Sequence, residues 1–151
     1  MEQFLTLIQN LKESIHKKDS FNPSISNKSV LWHIEHTSLV IEQIYENLKT
    51  SNPSNYKSKF TFLWFIVKWT KNIPRGKGQA PKAATPEENI DLEKLNHRLN
   101  NLSNILIDLE NLPADSFIEH HVFGTLKTNA TLKFLYIHTL HHYKIIQDII
   151  G

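Results

Sequence analysis

No cysteine occurs among the 151 residues. That absence excludes disulfides, thiolate metal sites and a cysteine nucleophile together, so any metal would have to be held by nitrogen and oxygen. Glycine is scarce, four in all, and alternating β-branched runs are few, so strands are not expected. The longest apolar run, Phe60 to Val67 with Thr61 inside it, falls far short of the ~20 residues that cross a bilayer. The opening residues, MEQFLTLIQNLKESIHKK, are charged throughout and lack the apolar stretch of a signal peptide. A cytoplasmic protein with no membrane partner is the expectation. Charge of one sign is also missing. Seventeen basic residues face fifteen acidic ones, for a net charge of +2, with no long single-sign block and no helix-turn-helix pattern. Both facts argue against nucleic acid as a partner.

What is present is an ordinary globular balance, 40% hydrophobic and 21% charged, in a chain whose length suits one domain over residues 1–151. Four segments carry helical periodicity. Phe4, Ile8, Leu11 and Ile15 form one stripe of a helix from about Glu2 to Lys17. After the breaker SFNPSISNKS, a second stripe runs through Val30, Ile34, Thr37, Ile41, Ile44 and Leu48, with Ser26 or Asn27 as its cap. Thr85-Pro86-Glu87-Glu88 reads as a capping box opening a third helix with stripe Leu92, Leu95, Leu99, Leu102, Leu106 and Leu109, stopped by Pro113. A fourth spans about Thr128 to Ile149, capped by Thr128 or Asn129. The sequence therefore predicts an all-α helix bundle.

The segment between the second and third helices, Thr50 to Ala84, is too long for a tight turn and predicts a crossover. Within it, YKSKFTFLWFIVKWTK predicts an accessory helix. Being apolar on nearly every side, that helix is expected to bury itself against the bundle or in a homodimer interface rather than to lie on a membrane surface. NIPRGKGQAPKAATP reads as an irregular basic loop, and Lys57, Lys59, Lys68, Lys71, Arg75, Lys77 and Lys82 make the whole region basic. Its Gly76-Lys77-Gly78 lacks the spacing of a phosphate-binding P-loop.

Nine histidines are the compositional oddity. In LYIHTLHHYKII, Leu135 to Ile146, a helical wheel puts His138 and His142 on the stripe of Leu135, Ile145 and Ile149, which should be buried. Histidines at i and i+4 project side by side and can grip one metal. His141 falls to one flank, where it could orient a neighbour. A further ligand would come from SVLWHIEHTSLVI. His33 lies nearer the apolar stripe of that helix and is slightly favoured; His36 lies further round, beside Trp32 and Leu39. Glu35 points away from the stripe and suits solvent. His120 and His121 precede the last helix, either at the mouth of a pocket or on a surface loop. The competing reading is a wet polar core, in which each unpaired ring nitrogen costs roughly 1–3 kcal/mol. A metal satisfies the acceptor nitrogens of several rings at once.

These residues resemble those of the DinB-like superfamily, which includes the YfiT-like metal-dependent hydrolases. The final-helix H-x-x-x-H is His138 and His142. The family's second-helix histidine follows a serine by about seven positions and precedes an apolar residue, a pattern matched by Ser26, His33 and Ile34 and in part by Ser29 and His36. HHVFGTL, His120 to Leu126, and IPRGKGQAPK are similar to elements of one uncharacterised branch. The resemblance spans most of the chain. It implies a four-helix bundle of up-down-down-up connectivity, holding a divalent metal (zinc, nickel, iron or manganese) on three histidines. It further implies transferase chemistry with a low-molecular-weight thiol, or hydrolase chemistry, on a small-molecule substrate. One departure is Ile145, where relatives often carry a glutamine three residues after the last ligand. A three-histidine site would leave a coordination position open, which suits catalysis. The alternative is a non-catalytic metal- or ligand-binding bundle that self-associates through its aromatic helix.

Overall fold

In a computed structural model, which describes residues 1–76 and 81–151, five α-helices and one β-hairpin account for the regular structure. The helices are α1 (Glu2–Glu13), α2 (Val30–Lys49), α3 (Phe62–Thr70), α4 (Leu92–Asn111) and α5 (Thr128–Ile150). The hairpin pairs β1 (Phe117–His120) with β2 (Gly124–Lys127) in antiparallel register. No helix among the described residues is long and apolar enough to cross a membrane.

Most positions of the predicted stripes become the core, but Leu92, the first residue of its helix, is exposed, and Ile15 is only partly buried. Val30, Ile34, Ile41, Ile44 and Leu48 of α2 are buried, as are Leu95, Leu99, Leu102, Leu106 and Leu109 of α4. Phe4, Ile8 and Leu11 of α1 and Leu135, Ile145 and Ile149 of α5 complete it. α2 packs on both α4 and α5, and α1 packs on α4 and α5, so the second helix and the last lie side by side along the core. That neighbourhood is what lets their histidines meet.

Several boundaries differ from the sequence reading, each for a local reason. α1 stops at Glu13 and tightens into a 3₁₀ turn over Ser14–Lys17. α2 is capped by Ser29, whose Oγ accepts the Trp32 N–H at 3.3 Å, and not by Ser26 or Asn27. The Thr85 capping box does not form. The Thr85 hydroxyl instead donates to the Pro81 carbonyl at 3.0 Å, and α4 starts at Leu92 under an Asp91 carboxylate that accepts the N–H groups of Glu93 and Lys94. α5 has no side-chain cap, because the Thr128 hydroxyl donates to the Pro113 carbonyl at 2.6 Å.

The hairpin contradicts the expectation that strands would be absent. Each strand is only four residues long, and Phe117, Ile118 and Leu126 bury against the helices instead of alternating cleanly. His120 closes its turn, Nδ1 accepting the N–H groups of Val122 and Phe123 at 3.1 and 3.2 Å. The backbone of Lys57–Lys59 runs beside β2: Thr125 donates its N–H to the Lys59 carbonyl at 3.1 Å and its hydroxyl to the Lys57 carbonyl at 2.7 Å. Gly124, at φ +78°, is required there, since a Cβ would collide with the Lys59 carbonyl oxygen.

The accessory helix forms within the predicted stretch, but it is not buried against the bundle. Only Trp64 and Val67 of α3 reach the core, and the rest of its apolar surface faces outward. Lys77, Gly78, Gln79 and Ala80 of the basic loop, and with them most of the Gly76-Lys77-Gly78 stretch, lie outside the described residues.

Candidate metal centre

Four histidines converge between α2 and α5. Ring centroids lie 4.6 Å apart for His138 and His142, 4.7 Å for His36 and His142, 5.2 Å for His36 and His138, and 5.2 Å for His33 and His142. His36, His138 and His142 each offer one ring nitrogen, and all three nitrogens lie within 4.8 Å of one another, close enough to bind a metal ion. His33 is equally buried but is not one of this group. Of the two second-helix candidates it is His36, and not the slightly favoured His33, whose ring nitrogen joins this group.

Hydrogen bonds explain why. The Nδ1–H of His36 donates to the Ala84 carbonyl at 2.6 Å, which leaves its Nε2 as the free lone pair. Ala84 ends a short 3₁₀ turn, Lys82–Ala84, which the crossover lays against α2. Trp32 stacks on the His36 ring with centroids 4.9 Å apart, which helps hold the ring in place. His33 bridges a serine and His142 instead. Its Nε2 lies 3.0 Å from the Ser26 Oγ and its Nδ1 lies 3.0 Å from the Nδ1 of His142. Ser26 Oγ already accepts the Lys28 N–H. One proton arrangement satisfies the whole chain with His142 ready to ligate: His142 donates from Nδ1 to His33, and His33 donates from Nε2 to Ser26. The Nε2 of His142 is then free to accept. The serine that precedes His33 by seven residues thus belongs to a hydrogen-bonded line that orients His142, rather than to a helix cap.

His138 shows what the cluster lacks. The residue is half-buried, yet its Nδ1 is sealed from water and has no hydrogen-bond partner. An unsatisfied buried ring nitrogen is costly and calls for an explanation, and a cation among the three rings would supply one. The protonation states also fit. Burial lowers the pKa of His36, an effect its bond to Ala84 only partly offsets, and burial with mutual repulsion holds His138 and His142 well below the usual histidine value. The rings are neutral near pH 7, with lone pairs available. Ligating nitrogens of a tetrahedral zinc stand roughly 3.3 Å apart, so nitrogens that lie within 4.8 Å of one another would need to close by up to about 1.5 Å. The residues fit the ion.

The remaining sequence candidates fall around this centre. His141 is half-buried on the flank of α5, its ring 5.0 Å from His142, and burial pushes its pKa down to about 4. His120 stacks on Phe123 and meets the edge of Phe134, which in turn packs 5.6 Å from His138. His121 is exposed and stacks on His120. Glu35 is not solvated as expected. Both its carboxylate oxygens accept from Arg98 Nη1 of α4, at 2.8 and 2.9 Å, while Arg98 Nε reaches Glu42 at 2.8 Å. Burial raises the Glu35 pKa even so. This bridge ties α2 to α4 and does not enter the histidine cluster.

The contributions that sequence reasoning missed, Ala84 and Ser26, act through a backbone carbonyl and a hydroxyl. Only the Ser26–His33 interval gave any signal of them. Two surface depressions, one of about 360 Å³ lined by Tyr56, Lys57 and Glu119 among others, and one beside Phe4 and Tyr136, include none of the histidines. No family model matches the chain, and no curated protein or solved structure matches it significantly.

Proposed function

We propose that the protein is a metal-dependent enzyme of transferase or hydrolase type, working on a small molecule at a cation held by His36, His138 and His142. The observation that carries this reading is the convergence of three histidines, two buried and one half-buried, with one ring nitrogen left unpaired. A divalent ion there would supply Lewis acidity and bring the pKa of a water or thiol in its open position toward neutrality. The chain's own residues prepare that position. Ala84 and His33 fix the tautomers of His36 and His142, so that both present lone pairs inward. Phe134, buried beside His138, limits water on that flank. No carboxylate stands in the cluster, so the full charge of the cation would remain to act on substrate.

The packing of α1, α2, α4 and α5 around one core supports reading the architecture as a four-helix bundle of DinB-like, up-down-down-up type. A second reading, a non-catalytic metal-binding bundle, rests on the same three histidines.

Screening metal-loaded protein against activated acceptors with low-molecular-weight thiols, and against simple amides, separates the two. Turnover that disappears in His138→Ala is the expected result. Stoichiometric metal binding with no turnover in either class would overturn the enzymatic reading and leave the binding one.

A further inference from the structure

α3 is built inside out. Its buried side consists of Trp64 and Val67, whereas Phe62, Phe65, Ile66 and Trp69, at 69, 54, 40 and 82% exposure, share the opposite face. Those four positions fall within about 100° of arc on a helix of 3.6 residues per turn. A solvent-facing stripe of three aromatics and an isoleucine is not the ordinary scatter of single apolar residues on a surface. Nor is the helix loosely attached. Trp64 packs on Phe123 and Phe134, and the Lys57–Lys59 strap that leads into it is bonded to Thr125 beside Gly124. The Thr61 hydroxyl accepts the Trp64 N–H and caps the helix start. The apolar face is therefore presented rigidly.

Its rim carries one sign of charge. From residue 47 to residue 86 the chain has no aspartate or glutamate. Lys59, Lys68 and Lys71 border the face, and none of them forms an ion pair among the described residues. Arg75 is occupied by Asp148, and Lys57 lies beside Glu119. A nine-residue helix is roughly 14 Å long, too small to supply the ~800 Å² per partner of a standard stable protein interface. A second copy docked face to face would also bring Lys59, Lys68 and Lys71 of one copy toward the same unpaired lysines of the other.

We propose that α3 is an interfacial helix that docks the protein on an anionic lipid surface. Phe62, Phe65, Ile66 and Trp69 enter the headgroup boundary while Lys59, Lys68 and Lys71 meet lipid phosphates and carboxylates. The combination is what such helices require: aromatic residues for the boundary layer and lysines for the negative leaflet. This proposal does not depend on the metal centre.

The test is co-sedimentation of the full chain with phosphatidylcholine vesicles, with and without phosphatidylserine, at low and high salt. Binding is expected only with phosphatidylserine, weakened by salt, and accompanied by a blue shift of tryptophan emission. Trp69→Ala with Phe65→Ala should weaken it on the order of tenfold or more, and Lys59→Glu with Lys68→Glu by a similar factor. All four side chains are exposed, so circular dichroism and melting should be unchanged. Equal binding to neutral vesicles, or none to anionic ones, overturns the proposal. A concentration-dependent dimer that Trp69→Ala dissociates, without vesicle binding, assigns the face to a second copy instead.

Discussion

Replacing His33 by alanine separates an orienting histidine from a ligating one. His33 Nδ1 lies 3.0 Å from His142 Nδ1, and its other nitrogen lies 3.0 Å from Ser26 Oγ. In the alanine variant the His142 N–H loses its acceptor in a buried place, at a cost of about 1–3 kcal/mol. The ring is then free to rotate or to carry its proton on the nitrogen that should face the ion. Loss of such an orienting partner lowers metal affinity about 10–100-fold, or about 1.4–2.7 kcal/mol, without changing the stoichiometry. Zinc titration against a competing chelator measures both quantities. His33→Gln, whose amide oxygen can accept from His142, should recover part of the loss. His36→Ala, by contrast, removes one of the three proposed ligands and should abolish tight binding. The reasoning is refuted if His33→Ala binds zinc as tightly as the parent, or if it abolishes binding while His36→Ala does not.

Three further outcomes follow from the fold. Gly124→Ala places a side chain against the Lys59 carbonyl at φ +78° and should cost about 3 kcal/mol, from left-handed strain plus the bonds to the strap; Gly76→Ala, with open space around it, should cost only about 1 kcal/mol in the same urea titration. Equal losses at the two sites would contradict the close approach. Arg98→Ala leaves Glu35, 12% exposed, without its cation; about 2 kcal/mol should be lost, below the value for a fully buried pair, and a loss under about 0.5 kcal/mol would mark the bridge as an ordinary surface contact. Stability should also depend on pH: burial holds His33, His120 and His141 down at about 4, against 6.5 for the free side chain. Between those values the unfolded chain binds more protons, so stability is complete above pH 6.5, declines as pH falls through the window and levels off near 4. Urea midpoints measured across that range would refute this if they stayed flat.

The helices and their buried faces were legible because their stripes are long and repeat many times. The i, i+4 pair on α5 was legible for the same reason, since helix geometry alone aligns His138 with His142. The choice between His33 and His36 was not, because both are buried and their difference is set by partners remote in sequence: Ala84, 48 residues on, for His36, and His142 for His33. The hairpin escaped notice because two four-residue strands are too short for a period-two pattern. Thr85 and Asp91 both precede plausible helix starts. Tertiary context chose between them when the Thr85 hydroxyl closed the turn that delivers Ala84 to His36. Apolar composition suggested a buried α3, yet only one side of it finds a partner within the fold.

The central claim, a metal ion held by His36, His138 and His142, is tested most directly by elemental analysis of protein purified without chelator or affinity tag and then supplied with zinc, nickel, manganese or iron. Near-stoichiometric retention of one of these after gel filtration, abolished in His36→Ala, His138→Ala and His142→Ala, is the predicted result. Trace occupancy by every metal offered, or full retention in all three variants, would contradict it.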